Sequence, residues 1–264
     1  MNIVVKTSLM KRIFFIILLN IIFFNYAFAE TFKLKKHHIG ISSGLSFYKV
    51  KDEIASPMAY NGSGIPIQLS YRYRGIKNRH NICLSYTKSK LSPSTSFSYG
   101  QHNIEHYHIN LKYGYHRFFT SLLKNKVKLF LGGIWNTNAS LRKHLYDRNQ
   151  SEPFGDVVSS LDLSFLSEFK MGEKNRIIDE ISIPIIAFVL RPGYSGKFPL
   201  TTDLTSIHRF IRFKNQLSYE HSLSPFFNIR FKYNFIYYQY PNPQKIKLGM
   251  DHFSIEILYK FGGK

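Results

Sequence analysis

The stretch Phe253-Ser254-Ile255-Glu256-Ile257-Leu258-Tyr259-Lys260-Phe261 places a large apolar residue at every second position. Alternation of period two marks a strand with two unlike faces. Phe253, Ile255, Ile257, Tyr259 and Phe261 share one face, and Ser254, Glu256 and Lys260 the other. The run Phe227, Ile229, Phe231, Tyr233, Phe235, Tyr237 repeats the pattern, interleaved with Asn228, Arg230, Lys232 and Asn234. Two long neighbouring strands with this much aromatic surface opposite cationic partners describe a wall between lipid and water.

The closing strand resembles that of the bacterial outer-membrane β-barrel proteins. In them a last strand with aromatic and aliphatic residues at alternate positions, ending on Phe, is the recognition signal for the barrel-assembly machinery. The resemblance implies that Phe253, Ile255, Ile257, Tyr259 and Phe261 are that assembly signal and that the location is the cell outer membrane of a Gram-negative envelope. This chain departs from the family pattern at its end, where Gly262, Gly263 and Lys264 follow the final Phe.

The first segment points the same way. Lys6, Lys11 and Arg12 precede an apolar core from Ile13 to Phe24, and Ala27-Phe28-Ala29 has the small-x-small form of a cleavage site. Residues 1–29 therefore read as a secretory signal peptide. The apolar core is shorter than the roughly 20 residues a membrane-spanning helix needs. Residues 30–264 form the second unit, the barrel domain. The single Cys83 excludes an internal disulfide, so an exported chain draws its stability from elsewhere. A closed barrel supplies it, because every backbone group pairs around the ring.

Alternation predicts ten strands, at about 37–48, 64–73, 79–88, 104–115, 126–137, 157–169, 177–190, 209–220, 226–238 and 248–261. The connections alternate long and short. Lys49–Ser63, Ser89–Asn103, Asn138–Asp156, Arg191–His208 and Gln239–Lys247 are the longer set, and Arg74–Asn78, His116–Asn125, Lys170–Arg176 and His221–Pro225 the shorter. Short periplasmic turns and longer outer loops belong to outer-membrane barrels with an even strand count. The expected fold is thus all-β, an antiparallel transmembrane up-and-down barrel of about 10 strands, with 8 or 12 as the alternative counts and a two-sheet soluble sandwich as the runner-up. Aromatic residues near strand ends, such as Tyr71, Tyr73, Tyr113 and Tyr115 at one end and Phe47, Tyr86, Trp135 and Tyr237 at the other, suit the two interfacial girdles of such a barrel.

The opposite phase of each strand faces the lumen and is polar and basic. One functional reading is a narrow, porin-like, anion-favouring channel lined by Arg72, Lys112, Arg230 and Lys232. The other is a filled lumen, since eight strands leave an interior just filled by side chains and about sixteen open an aqueous channel. Asp162, Glu168 and Glu256 then pair with the bases. The net charge of +20 is carried further by Lys49, Lys51, Lys88, Lys90, Arg142, Lys143, Arg148, Lys197, Lys245 and Lys247 in the outer loops and rims. Those bases fit lipopolysaccharide phosphates or an extracellular partner. An exported membrane wall argues against nucleic acid, and no cofactor or metal is implied.

An enzyme needs a constellation. Outer-membrane proteases use acidic pairs with an Asp-His pair at the outer rim, but Asp251 and His252 are adjacent and point to opposite faces of a strand. His106-x-His108 shares one side of a strand, with Ser164 as a nucleophile candidate, yet no third ligand stands at metal spacing. The reading is a barrel with a structural or binding role, a channel as the alternative, and a lipid-modifying enzyme or protease as the third.

Overall fold

The computed structural model describes residues 36–53, 58–94, 103–145, 154–192, 200–242 and 245–262. The described residues contain strands and turns and no helix. The strands are β1 (His37–Asp52), β2 (Ala59–Arg74), β3 (Asn78–Pro93), β4 (Asn103–Leu122), β5 (Val127–Leu145), β6 (Phe154–Met171), β7 (Asn175–Pro192), β8 (Leu200–Ser206), β9 (Ile211–Ser222), β10 (Phe227–Tyr240) and β11 (Ile246–Phe261). Sequence neighbours pair antiparallel except β8 and β9, which both pair with β7, and β1 pairs with β11 along its whole length, from His37 opposite Phe261 to Asp52 opposite Ile246. The sheet therefore closes on itself, so neither the first nor the last strand is an edge.

Eleven strands make ten staves. β7 pairs with β9 over Asn175–Ser182 and with β8 over Ile186–Pro192, so β8 and β9 are successive halves of one stave. The interruption has a cause in the sequence. Pro184 lacks a ladder N–H, and the pairing of β7 with β6 slips there, with Asp162 opposite Pro184 and Leu161 opposite Ile186. At the same level the chain leaves the ladder after Ser206, and the amide N–H groups of Arg209 and Phe210 donate to the Ser206 carbonyl at 3.0 and 2.9 Å. The connection expected over Arg191–His208 thus contains a strand, β8, which the Thr201-Thr202-Asp203 polar run concealed.

The remaining strands extend the expected ones outward by a few residues. The connection expected at His116–Asn125 is tighter: β4 runs on to Leu122 through a register shift between Phe118 and Thr120. A turn with Leu123, Lys124 and Asn125 in the left-handed region then closes on the Lys126-to-Leu123 bond at 3.1 Å. The short turns lie at one end of the barrel, with the start of β1 and the end of β11, and the longer connections join strands at the other, called here the outer end.

Side chains alternate as the pleat dictates. The outward face carries an apolar band that includes Ile39 and Ile41 on β1, Ile67 and Leu69 on β2, Leu163 and Phe165 on β6, and Ile255 and Ile257 on β11. The inward face holds His38, Ser42 and Ser46 on β1 and Ser254, Glu256 and Lys260 on β11. Leu258, from the closing stretch, also faces inward and is fully buried. At the seam Gly44 approaches β11 so closely that a Cβ would sit 1.9 Å from the Phe253 carbonyl oxygen, so no larger residue fits.

Candidate functional site

The lumen is built in two tiers. The inner tier is a set of carboxylates held from several walls at once. Glu256 on β11 accepts two bonds from the Arg72 guanidinium on β2, at 3.0 and 2.8 Å, and one from Ser70 at 2.6 Å. Glu220 on β9 is gripped by Arg74 on β2 through two bonds of 2.7 Å, by Arg230 on β10, and by Asn228 at 2.6 Å. Glu168 on β6 bridges Arg79 on β3 and Arg176 on β7, both at 2.9 Å. Further out, Lys112 on β4 pairs with Glu180 on β7, and Arg212 on β9 with Asp162 on β6. Fork-shaped guanidinium groups on carboxylates are geometrically specific, and each of these pairs ties one wall of the barrel to another.

Arg72, Lys112, Arg230 and Lys232 all face the lumen and are buried. Each bonds a protein acceptor: Lys232 donates to Ser42 at 2.9 Å and to Gln68, with Glu256 at 3.5 Å. His106 and His108 stand side by side with ring centroids 6.1 Å apart. His106 bonds the hydroxyls of Ser140 at 2.9 Å and Ser89 at 3.2 Å. Ser164 joins neither histidine. Its hydroxyl bonds the Nε2 of His116 at 2.9 Å, and His116 is ten residues from His106 on β4, about 30 Å along the strand. Asp251 and His252 separate as adjacent strand residues must: Asp251 accepts from the outward Tyr233 hydroxyl at 2.6 Å, while His252 turns inward onto Ser46 at 2.9 Å.

The His116–Ser164 pair and the carboxylates Glu180 and Glu220 were not singled out from sequence. Parity carried the signal for them. Glu180 and Ser182 lie in phase on an otherwise apolar run, and Arg212, Ser218 and Glu220 lie in phase on β9. His116 fell in a stretch read as connection, and so did Arg74.

The outer tier corrects the picture of a lumen polar along its length. Tyr48, Val50, Tyr60, Leu91, Ile104, Leu248 and Met250 form one buried inward cluster, and Val158, Ala187, Val189, Phe210, Tyr240 and Ile246 a second. Val50, Tyr60, Leu91, Tyr240 and Ile246 occupy strand extensions beyond the expected ends, and the others lie within the expected strands toward their outer ends, where the inward phase turns apolar. Above them Asp52 stands between Arg142 at 3.0 Å and Arg191 at 2.9 Å, and Arg142 also engages Asp156. Arg142 is thus no loop cation. β5 continues to Leu145, and the phase of Asn136 and Ser140 turns Arg142 inward, where it is 1% exposed.

Between the tiers lie two adjoining cavities of about 30 and 50 Å³, which share His108, Asn110, Lys214, Ile236 and Met250 in their walls.

Outside the barrel, at the outer end, Lys49 and Lys51 on β1, Lys88 and Lys90 on β3, and Lys247 on β11 are all exposed. Lys51 stands directly opposite Lys247 across the seam. Nearby carboxylates are few and loosely placed: Glu53 lies 3.5 Å from Lys51 and Glu105 3.8 Å from Lys88. Arg148 and Lys197 lie outside the described residues, as does the segment 1–29.

A closed ten-stave antiparallel barrel with an apolar exterior and a charged interior is the architecture of bacterial outer-membrane β-barrel proteins, and those are its structural neighbours. The outer membrane protease OmpT from Escherichia coli matches 88% of this chain and 99% of its own, with a TM-score of 0.53 and 7% identity. The translocator domain of the autotransporter NalP from Neisseria meningitidis matches 90% of this chain and 90% of its own at a TM-score of 0.48 and 9% identity. Ail, the attachment invasion locus protein of Yersinia pestis, matches 85% of this chain and 99% of its own at a TM-score of 0.36 and 11% identity. No protein-family model matches the chain, and no curated protein matches it in sequence. At such identities the likeness is one of fold.

Proposed function

We propose that this protein is exported by a signal peptide at residues 1–29, spans the outer membrane as a closed barrel, and acts from its outer surface by binding lipopolysaccharide phosphates. The observation that carries the reading is the exposed pair Lys51 and Lys247, set directly opposite each other on paired strands just beyond the apolar band. Like charges in that relation repel, and an anion between them turns the repulsion into attraction. Lys49, Lys88 and Lys90 extend the same row, and each lysine near an anionic lipid surface contributes about 1 kcal/mol. The apolar band fits the hydrocarbon layer below the row, and the alternating face of β11 offers Phe253, Ile255, Ile257, Tyr259 and Phe261 to the assembly machinery.

Conduction is not part of this reading. Arg72, Lys112, Arg230 and Lys232 are engaged by carboxylates and amides, and an apolar layer lies outward of them. The test is the amount of lipopolysaccharide that stays with the purified barrel. Replacing Lys49, Lys51, Lys88, Lys90 and Lys247 together by Gln is expected to lower it at least tenfold in a barrel that still folds. An unchanged amount overturns the proposal.

A further inference from the structure

We propose that the chamber between the two tiers holds a small monovalent anion of halide size, bound by the ammonium group of Lys214. Lys214 enters from β9 and lines both cavities. Among the described residues it makes no hydrogen bond and no ion pair, whereas the cations around it are all engaged. Lys112 holds Glu180, Arg212 holds Asp162, and Lys232 holds Gln68 and Ser42. Asp156, which lines the outer cavity, is held by Arg142. The carboxylates in reach therefore already face other cations, and Lys214 remains as local positive charge inside a lumen.

Lys214 is half-buried in the lumen wall, and an ammonium ion partly withdrawn from bulk water gains from a counter-charge beside it. The chamber offers one with neutral help, since the side-chain amides of Gln216 and Asn234 line the wall beside Lys214. Size selects the ligand. Cavities of about 30 and 50 Å³ accommodate a few water-sized groups, which admits a halide with one or two waters and excludes a sugar, a nucleotide or an acyl chain. The apolar clusters lie outward of the chamber and the ion pairs inward of it. This differs from a conduction site, because a bound ion here neutralises the wall and does not traverse it.

The test is to fold the full chain in bromide and crystallise it. An anomalous peak within hydrogen-bonding reach of Lys214 Nζ is expected, and Lys214→Met is expected to lack it. In solution, with ionic strength held constant by sulfate, each tenfold rise in bromide above saturation is expected to raise the thermal midpoint of the wild-type barrel by about 3–5 °C. Lys214→Met is expected to show no such rise. Lys214→Arg, which keeps the charge, is expected to retain it. Water alone beside Lys214 in the wild-type crystals overturns the proposal, and so does an equal bromide response in Lys214→Met. The wild-type peak decides the matter even where a variant fails to fold.

Discussion

Arg72 on β2 reaches past β1 to place two guanidinium bonds on Glu256 of β11, so the closing strand is fastened to the barrel by a side-chain clasp as well as by its backbone ladder. Both partners are buried, and Arg230 at 3.7 Å and Lys232 at 3.5 Å lean on the same carboxylate. Removing the carboxylate leaves three cations facing one another.

Glu256→Gln is therefore expected to destabilise the folded barrel by about 3–5 kcal/mol, the cost of breaking a buried pair from one side. Replacing both partners, as Arg72→Met with Glu256→Met, is expected to recover part of that loss, since only Arg230 and Lys232 then face the site without the carboxylate. Urea midpoints of the barrel in detergent check it, and a double variant no better than the single one would show that the clasp is not a pair.

Phe210 gives a second prediction of a different kind. It is 1% exposed and packs against Tyr238 and Tyr240, with ring centroids 6.0 and 6.3 Å away, while the Arg212 guanidinium lies over its ring at 5.7 Å. Phe210→Ala opens a void in the outer tier and is expected to cost about 3–5 kcal/mol. Measured loss below about 1 kcal/mol would mean that the outer apolar layer is loosely packed.

These two residues differ in how legible they were. Glu256 lies in an unbroken period-two run, and a parity argument places it inside without reference to any other strand. The same holds for Arg72, Lys112, Arg230 and Lys232, and the long-short alternation of connections fixed the ring of ten. Phe210 fell within the expected strand 209–220, in phase with Arg212, but in the structure it lies in the excursion between β8 and β9, where the chain has left the ladder, and its packing against Tyr238 and Tyr240 is not written in the alternation. Arg142 was misplaced for a related reason: where a strand outruns its apolar alternation, its last residues look like loop. Which carboxylate meets which cation was also hidden, because Arg74–Glu220 and Arg79–Glu168 join staves that are not neighbours, and periodicity along one strand contains no cross-lumen distance.

The inner ion pairs and the outer apolar clusters predict electrical silence. In a planar bilayer under a salt gradient the wild-type barrel is expected to show no steady conductance, because most inner charged groups are paired across the lumen and the layer outward of them is apolar. Replacing Arg72 and Arg230 by Gln is expected to leave that silence unchanged. A steady anion-selective current from the wild-type barrel would return the bases to the role of a channel lining.

The closing strand separates assembly in the cell from stability in the test tube. Phe261 stacks on His37 across the seam with centroids 5.4 Å apart, and Tyr259 lies 6.1 Å from Phe261 on the same outward face. Both rings sit at the inner rim, where truncation removes outward contact area and no lumen bond. Phe261→Ala with Tyr259→Ala is expected to cut the amount of heat-modifiable barrel assembled in cells several-fold, while the same chain refolded from urea into detergent regains its fold. The two readouts part only if these rings are read by the assembly machinery. Equal losses in both would make the rings part of the barrel's own stability, and no loss in either would remove Phe261 from the assembly signal.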